Sequence, residues 1–181
     1  MVIPRSWKNA DGVAAMRDFL AQAPPRRAVV RALIKELLSP DPFTSRCAAD
    51  LARRVSARQP GILREYAGVL IDLVAELPLD QWQARGYVAL AAARNASTHA
   101  QRLRLAILVR SLIEDARIAV RAMALEAFAI LAAAEPELRD DAMLLLERSR
   151  HGSCAMRCRA RRMLLLLLGS EKKARDRMMR L

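Results

Sequence analysis

The residues best equipped for chemistry in this chain sit together in GSCAMRCRARRMLLLLLG, residues 152–169, just after His151. His151, Cys154 and Cys158 follow one another at spacings of three and four, which puts soft-metal donors on adjacent turns of a helix. Met156 adds a further donor in sequence but points elsewhere. A zinc site needs a fourth ligand from another segment, and Cys47 and His99 are the available sources. The competing reading treats cysteine as a small apolar residue that packs inside the fold. We favour it and assign no metal ligand. Cys158 and the Met163–Leu168 run are then expected on the buried side of a terminal helix, with Gly152 and Ser153 closing the preceding helix and capping this one.

Other catalytic constellations are missing from the sequence. It contains no P-loop, GxGxxG or HExxH motif and no Ser/His/Asp set, and two histidines leave little scope for acid/base work. The paired carboxylates Asp140 and Asp141 fall in the first turn of a helix after Pro136, where negative charge offsets the helix dipole. The expectation is a protein without enzymatic activity and without a cofactor.

Charge is the next feature with chemical consequence. The net charge is +12, and of 31 basic residues 27 are arginine. Residues 39–150 hold fifteen basic and fourteen acidic side chains, whereas residues 151–181 hold nine and two. The positive surface is therefore terminal. Arg157, Arg159, Arg161, Arg162, Lys172, Lys173, Arg175 and Arg177 are the candidates for contact with a polyanion. Four arginines between 157 and 162 must wrap round the first turns of a helix, so not all can be buried.

These side chains are positioned by helices. The chain is 54% apolar, rich in Ala, Leu and Arg, with 4% aromatic residues and six glycines, a composition that favours helix over strand. Pro60-GILREYAGVLIDLVAEL-Pro78 carries Leu63, Tyr66, Ala67, Leu70, Val74 and Leu77 on one stripe, with prolines at either end. The same periodicity predicts helices over 12–22, 26–38, 42–57, 61–77, 80–94, 98–114, 116–133, 136–150 and 153–168, joined by short loops. One domain is expected over 1–181, with capping helices in 1–38, a central region in 39–152, and a terminal helix with a basic tail in 153–181. The start lacks an apolar leader core and the longest apolar run is far short of the roughly 20 residues that span a bilayer, so a soluble cytoplasmic protein with free thiols is expected.

Internal repetition organises the helices. SRCAADLARRV, ARGYVALAAAR, VRAMALEAFAIL and CRARRMLLLLL each set an arginine (Arg46, Arg85, Arg121, Arg159) near the start of a small-residue and leucine helix, 36 to 39 residues apart. Asp41, Asp80 and Asp115 precede the first three. A two-helix unit of this period resembles the HEAT-like repeat family. The pattern is fullest at Val120, Arg121, Ala124 and Phe128, and weakest in the second copy, where Gly86 and Tyr87 replace small apolar residues. Arg46-CAAD, Pro136-ELR and Gly152-SCAMRCRAR are also similar to motifs of small bacterial HEAT-repeat proteins. The resemblance implies an all-α, right-handed α-solenoid of about four to five helix pairs. It implies structural roles for the aspartates and arginines as caps or as a ladder between units. It supplies no activity. HEAT-like alkylpurine DNA glycosylases offer only Trp82 with Asp80 as an echo, in a nearly neutral region poor in aromatic residues.

The expected function is a non-catalytic scaffold that binds a protein or peptide through the repeat surface. The helices over 61–77, 98–114 and 136–150 are expected to line it, with Arg64, Asp72, Arg102, Arg110, Arg139 and Arg148 as contact residues. The alternative is sequence-independent binding of nucleic acid through the arginine-rich ends.

Overall fold

The computed structural model describes the backbone of residues 27–178 and the side chains of residues 27–169. The helix expected over 12–22 lies outside the described residues. Within them the chain forms eight α-helices and no strand: α1 Arg27–Leu37, α2 Pro42–Arg58, α3 Ala67–Glu76, α4 Trp82–Asn95, α5 His99–Ile113, α6 Ile118–Ala134, α7 Arg139–Ser149 and α8 Cys154–Met178. None of them is long and apolar enough to cross a membrane.

The helix starts follow from local chemistry. Asp41 caps α2 by accepting from the Thr44 amide at 3.0 Å, with Pro42 in the first turn, where its missing N–H costs nothing. Thr98 and Gln101 form a reciprocal capping box at α5. Ser153 accepts from the Met156 amide at 3.4 Å and opens α8. The helix expected from residue 61 begins later. Gly61 is left-handed, with φ of +86°, so the chain turns there and becomes helical only through a 3-10 turn at Arg64–Tyr66. At the other end, α8 runs ten residues beyond the expected boundary at 168.

Packing arranges the helices in two rows. α2, α4, α6 and α8 lie side by side in sequence, while α1, α3, α5 and α7 each lie against the even-numbered helix that follows, and α3 touches α5. The even helices are therefore covered on several sides, and their composition permits it. Eleven residues of α6 are buried, including Ala122, Ala124, Ala127, Ala129 and Ala132, and small side chains of this kind let neighbouring axes approach. Gly86, a mismatch in the repeat pattern, is a point of tight approach: a Cβ there would lie 2.4 Å from Met123 Cε of α6.

A buried polar clamp fixes the joint between α2 and α4. Asn95 is 1% exposed. Its Oδ1 accepts from the Leu63 amide at 2.7 Å, and its Nδ2 donates to Ser56 Oγ at 2.8 Å and to the Ala91 carbonyl at 2.7 Å. The side chain is satisfied at both ends, as a buried amide must be.

Candidate interaction surface

The most concentrated electrostatic feature is built on the row of even helices. Glu126, buried in the middle of α6, accepts from Arg94 of α4 at 2.7 Å and ion-pairs with Arg159 and Arg162 of α8 at 2.7 and 2.8 Å. Three guanidiniums thus share one carboxylate. Burial draws Arg94 and Arg159 below the ordinary arginine value; Glu126 opposes this, and neighbouring guanidiniums, Arg53 and Arg162 among them, add to the lowering. Exposure is graded across the cluster, from 13% for the Arg94 side chain through 30% for Arg159 to 61% for Arg162. The deep pair anchors the row, Arg159 is partly buried beside it, and Arg162 faces solvent.

The cluster continues onto α2. Arg94 donates to the Arg53 carbonyl at 3.2 Å, and the Arg53 guanidinium lies over the Tyr87 ring at 5.1 Å. Asp50 takes both Arg53 and Arg54, through bonds of 2.9 Å to Arg53 Nε and 2.7 Å to Arg54 Nε. Across α2, α4, α6 and α8 this face therefore sets five arginines against two carboxylates.

The odd-numbered row, where the sequence placed the protein-contact residues, is different. Asp72 pairs with Arg104 at 2.7 Å between α3 and α5, and Arg110 pairs with Asp141 between α5 and α7. Arg102 is bound to Glu135 and donates to the Ser97 carbonyl at 2.9 Å, which closes the loop before α5. Arg64 lies beside Gly61 in the turn before α3, its Nη2 3.4 Å from where a Gly61 Cβ would stand. Arg139 is half-buried, with its Nε inside the fold and without a hydrogen-bond partner. Arg148 is exposed. These six residues do not converge on one site; Asp72 and Arg110 sit in pairs of one cation to one carboxylate, and Arg102 shares Glu135 with His99.

His99 and Glu135 make the second junction. Glu135, at the end of α6, is buried; His99 Nδ1 lies 3.0 Å from its Oε2, and His99 Nε2 lies 3.5 Å from Glu137. Hydrogen bonds from Arg102 and then His99 hold the Glu135 carboxyl below its ordinary value against the opposing effect of burial. Among the described residues these three metal-capable side chains are the ones that converge. His151, Cys154 and Cys158 are exposed, and the thiols are free.

The terminal helix corrects one expectation. Met163, Leu164 and Leu167 are buried, but Cys158, Leu165, Leu166 and Leu168 are exposed. Consecutive leucines go right round a helix of 3.6 residues per turn, so only one stripe of the run can face the core. Arg157 and Arg161 are exposed on the same helix. Lys172, Lys173, Arg175 and Arg177 belong to its last turns, beyond the described side chains.

The ladder expected from the repeat pattern takes another form. Asp41 caps its helix, Asp115 accepts from the Arg117 amide at 2.8 Å, Arg46 donates to Gln83 at 3.0 Å, and Arg85 reaches the Val74 carbonyl at 3.3 Å. Trp82 is half-buried against the core, with Arg117 5.9 Å from its ring centre. Sequence reasoning missed Glu126, although a lone carboxylate in the apolar sequence AMALEAFAIL signals a buried partner. Comparison with protein-family models, with curated proteins and with solved structures gave no match.

Proposed function

We propose that the protein is a non-catalytic interaction scaffold, a HEAT-like α-solenoid that binds an acidic segment of a partner protein across the face of α2, α4, α6 and α8. The observation that carries this reading is the imbalance at Glu126, where Arg94, Arg159 and Arg162 share one carboxylate. The Asp72–Arg104 and Arg110–Asp141 pairs of the odd-numbered row match one cation to one carboxylate, whereas Glu126 takes three. Arg162, 61% exposed, leaves part of its guanidinium open to solvent, and arginine forks suit carboxylates of a bound chain. This moves the contact surface away from the residues favoured by sequence. Arg53 and Arg162 become the residues expected to touch the partner.

The test is fluorescence anisotropy with a labelled oligoglutamate peptide, a neutral oligoglutamine control and a duplex DNA. Oligoglutamate should bind the parent protein above the control. Affinity should fall about tenfold, or about 1.4 kcal/mol, in the Arg53→Glu, Arg162→Glu variant. Equal binding of oligoglutamate and oligoglutamine would overturn the reading. Nucleic-acid binding is the second reading, favoured by exposed Arg157, Arg161 and Arg162 at the start of the helix that also carries Lys172, Lys173, Arg175 and Arg177. It requires the DNA to bind more tightly than the peptide, with affinity falling steeply in salt through counterion release.

A further inference from the structure

Among the described residues the even row ends at α8, which packs on α6 and α7. Its residues divide among three faces at about 100° per residue. Met156, Ala160, Met163, Leu164 and Leu167 face the core. Arg159 and Arg162 lean towards Glu126. The third face carries Cys154, Cys158, Arg161, Leu165 and Leu168 at spacings of four, three, four and three. That is the spacing of a seam between packed helices, and it is open: Leu165 is 73% exposed and Leu168 is 50% exposed.

We propose that this third face of α8 docks an amphipathic helix of a partner protein, one with apolar residues at matching three–four spacing and Asp or Glu placed against Arg157 and Arg161. The partner helix would extend the even-numbered row past α8. Charge disfavours a second copy of this chain paired along the whole seam. Self-pairing along the seam, centred on its middle residue in either direction, sets Arg161 against Arg161 with Arg157 nearby on both sides, and like charges in a seam oppose association. An acidic helix turns the same arginines into attractive contacts while covering the two leucines. The proposal rests on the scaffold reading but uses a different face from the Glu126 cluster.

The probe is a synthetic helical peptide of about three heptads, with leucine along its seam and glutamate on its flanks. A control has lysine flanks. The full chain should bind the glutamate peptide and not the lysine peptide. Binding should slow alkylation of Cys158, read by mass spectrometry. Leu165→Glu with Leu168→Glu should weaken binding about tenfold or more. Arg161→Glu should shift preference towards the lysine peptide, a reversal that a merely unfolded variant would not produce. Arg53→Glu should leave this binding unchanged, so failure here and failure at the row face are read separately. Indifference to flank charge, or no protection of Cys158, overturns the proposal. A dimeric parent chain in light scattering that becomes monomeric on Leu165→Glu overturns it in favour of a second copy. Cys158 that is slow to alkylate in the isolated chain at every concentration overturns it in favour of the chain's own termini.

Discussion

Replacing Glu126 by glutamine keeps the shape of the side chain and removes the charge that three arginines share. Arg94 and Glu126 are both largely buried, 13% and 7% exposed, and bonded at 2.7 Å. Removing one partner of such a pair leaves the other charged and desolvated, at a cost of about 3–5 kcal/mol. Arg162 is 61% exposed and adds little, about 0–1 kcal/mol after solvent screening. The expected loss for Glu126→Gln is therefore about 3–5 kcal/mol, carried mainly by Arg94. In a chain of this length that lowers the melting temperature by roughly 6–20 °C. Urea unfolding followed by circular dichroism measures it. Arg162→Ala should cost no more than about 1 kcal/mol. Glu126→Leu combined with Arg94→Met, which removes the buried pair as a unit, should recover most of the stability. A Glu126→Gln protein within about 0.5 kcal/mol of the parent would refute the reasoning. So would equal losses for Arg94→Ala and Arg162→Ala, because the energetics would then not follow burial.

Asn95→Ala strands the Leu63 amide and the Ser56 hydroxyl inside the fold and should cost about 2–4 kcal/mol, read as a lower urea midpoint at unchanged slope. The Glu135 carboxyl lies below its ordinary value of 4.5 in the folded protein, so its pairing is fully stabilising above that pH and is lost progressively below it. Glu135→Gln should therefore be less stable than the parent at neutral pH and should flatten the acid limb of the stability curve. An unchanged acid limb would disprove this. Gly86→Leu should destabilise the α4–α6 contact by about 1–3 kcal/mol, and Met123→Ala in the same chain should recover part of the loss in thermal melts.

Much of the architecture is legible in the sequence because its signals are local. Pro42, Pro60, Pro78, Pro136 and the Ser153 cap mark helix limits, and apolar spacing at three and four marks each buried stripe. Val120, Ala124 and Phe128, spaced at four on α6, are all buried. Boundaries failed where backbone conformation overrides periodicity, as at Gly61. Burial failed in the leucine run, where composition suggests a core but a helix has only one inward face. The Glu126 cluster was partly legible: Arg94, Arg159 and Arg162 stand 32, 33 and 36 residues from Glu126, close to the 36–39-residue spacing of the similar arginine-led segments in the sequence. What the sequence lacks is the side-chain direction that makes the three converge.

The two rows use charge differently, and this separates scaffold from surface. On the odd-numbered row Asp72 with Arg104 and Arg110 with Asp141 are half-exposed pairs, each worth about 0–1 kcal/mol, so they set register between helices more than they stabilise them. At Glu126 the pairing is unequal. One guanidinium neutralises the buried carboxylate. Burial is the main cause of the lowered Arg94 pKa, and each further guanidinium adds a smaller repulsion in the same direction. Folding alone gains little from Arg162, whose side chain is mostly in water. Any acidic group brought to this face relieves the repulsion as well as forming its own bonds. On the proposed reading, Arg162 adds little to the isolated fold and more to a complex, and the oligoglutamate titration separates the two contributions.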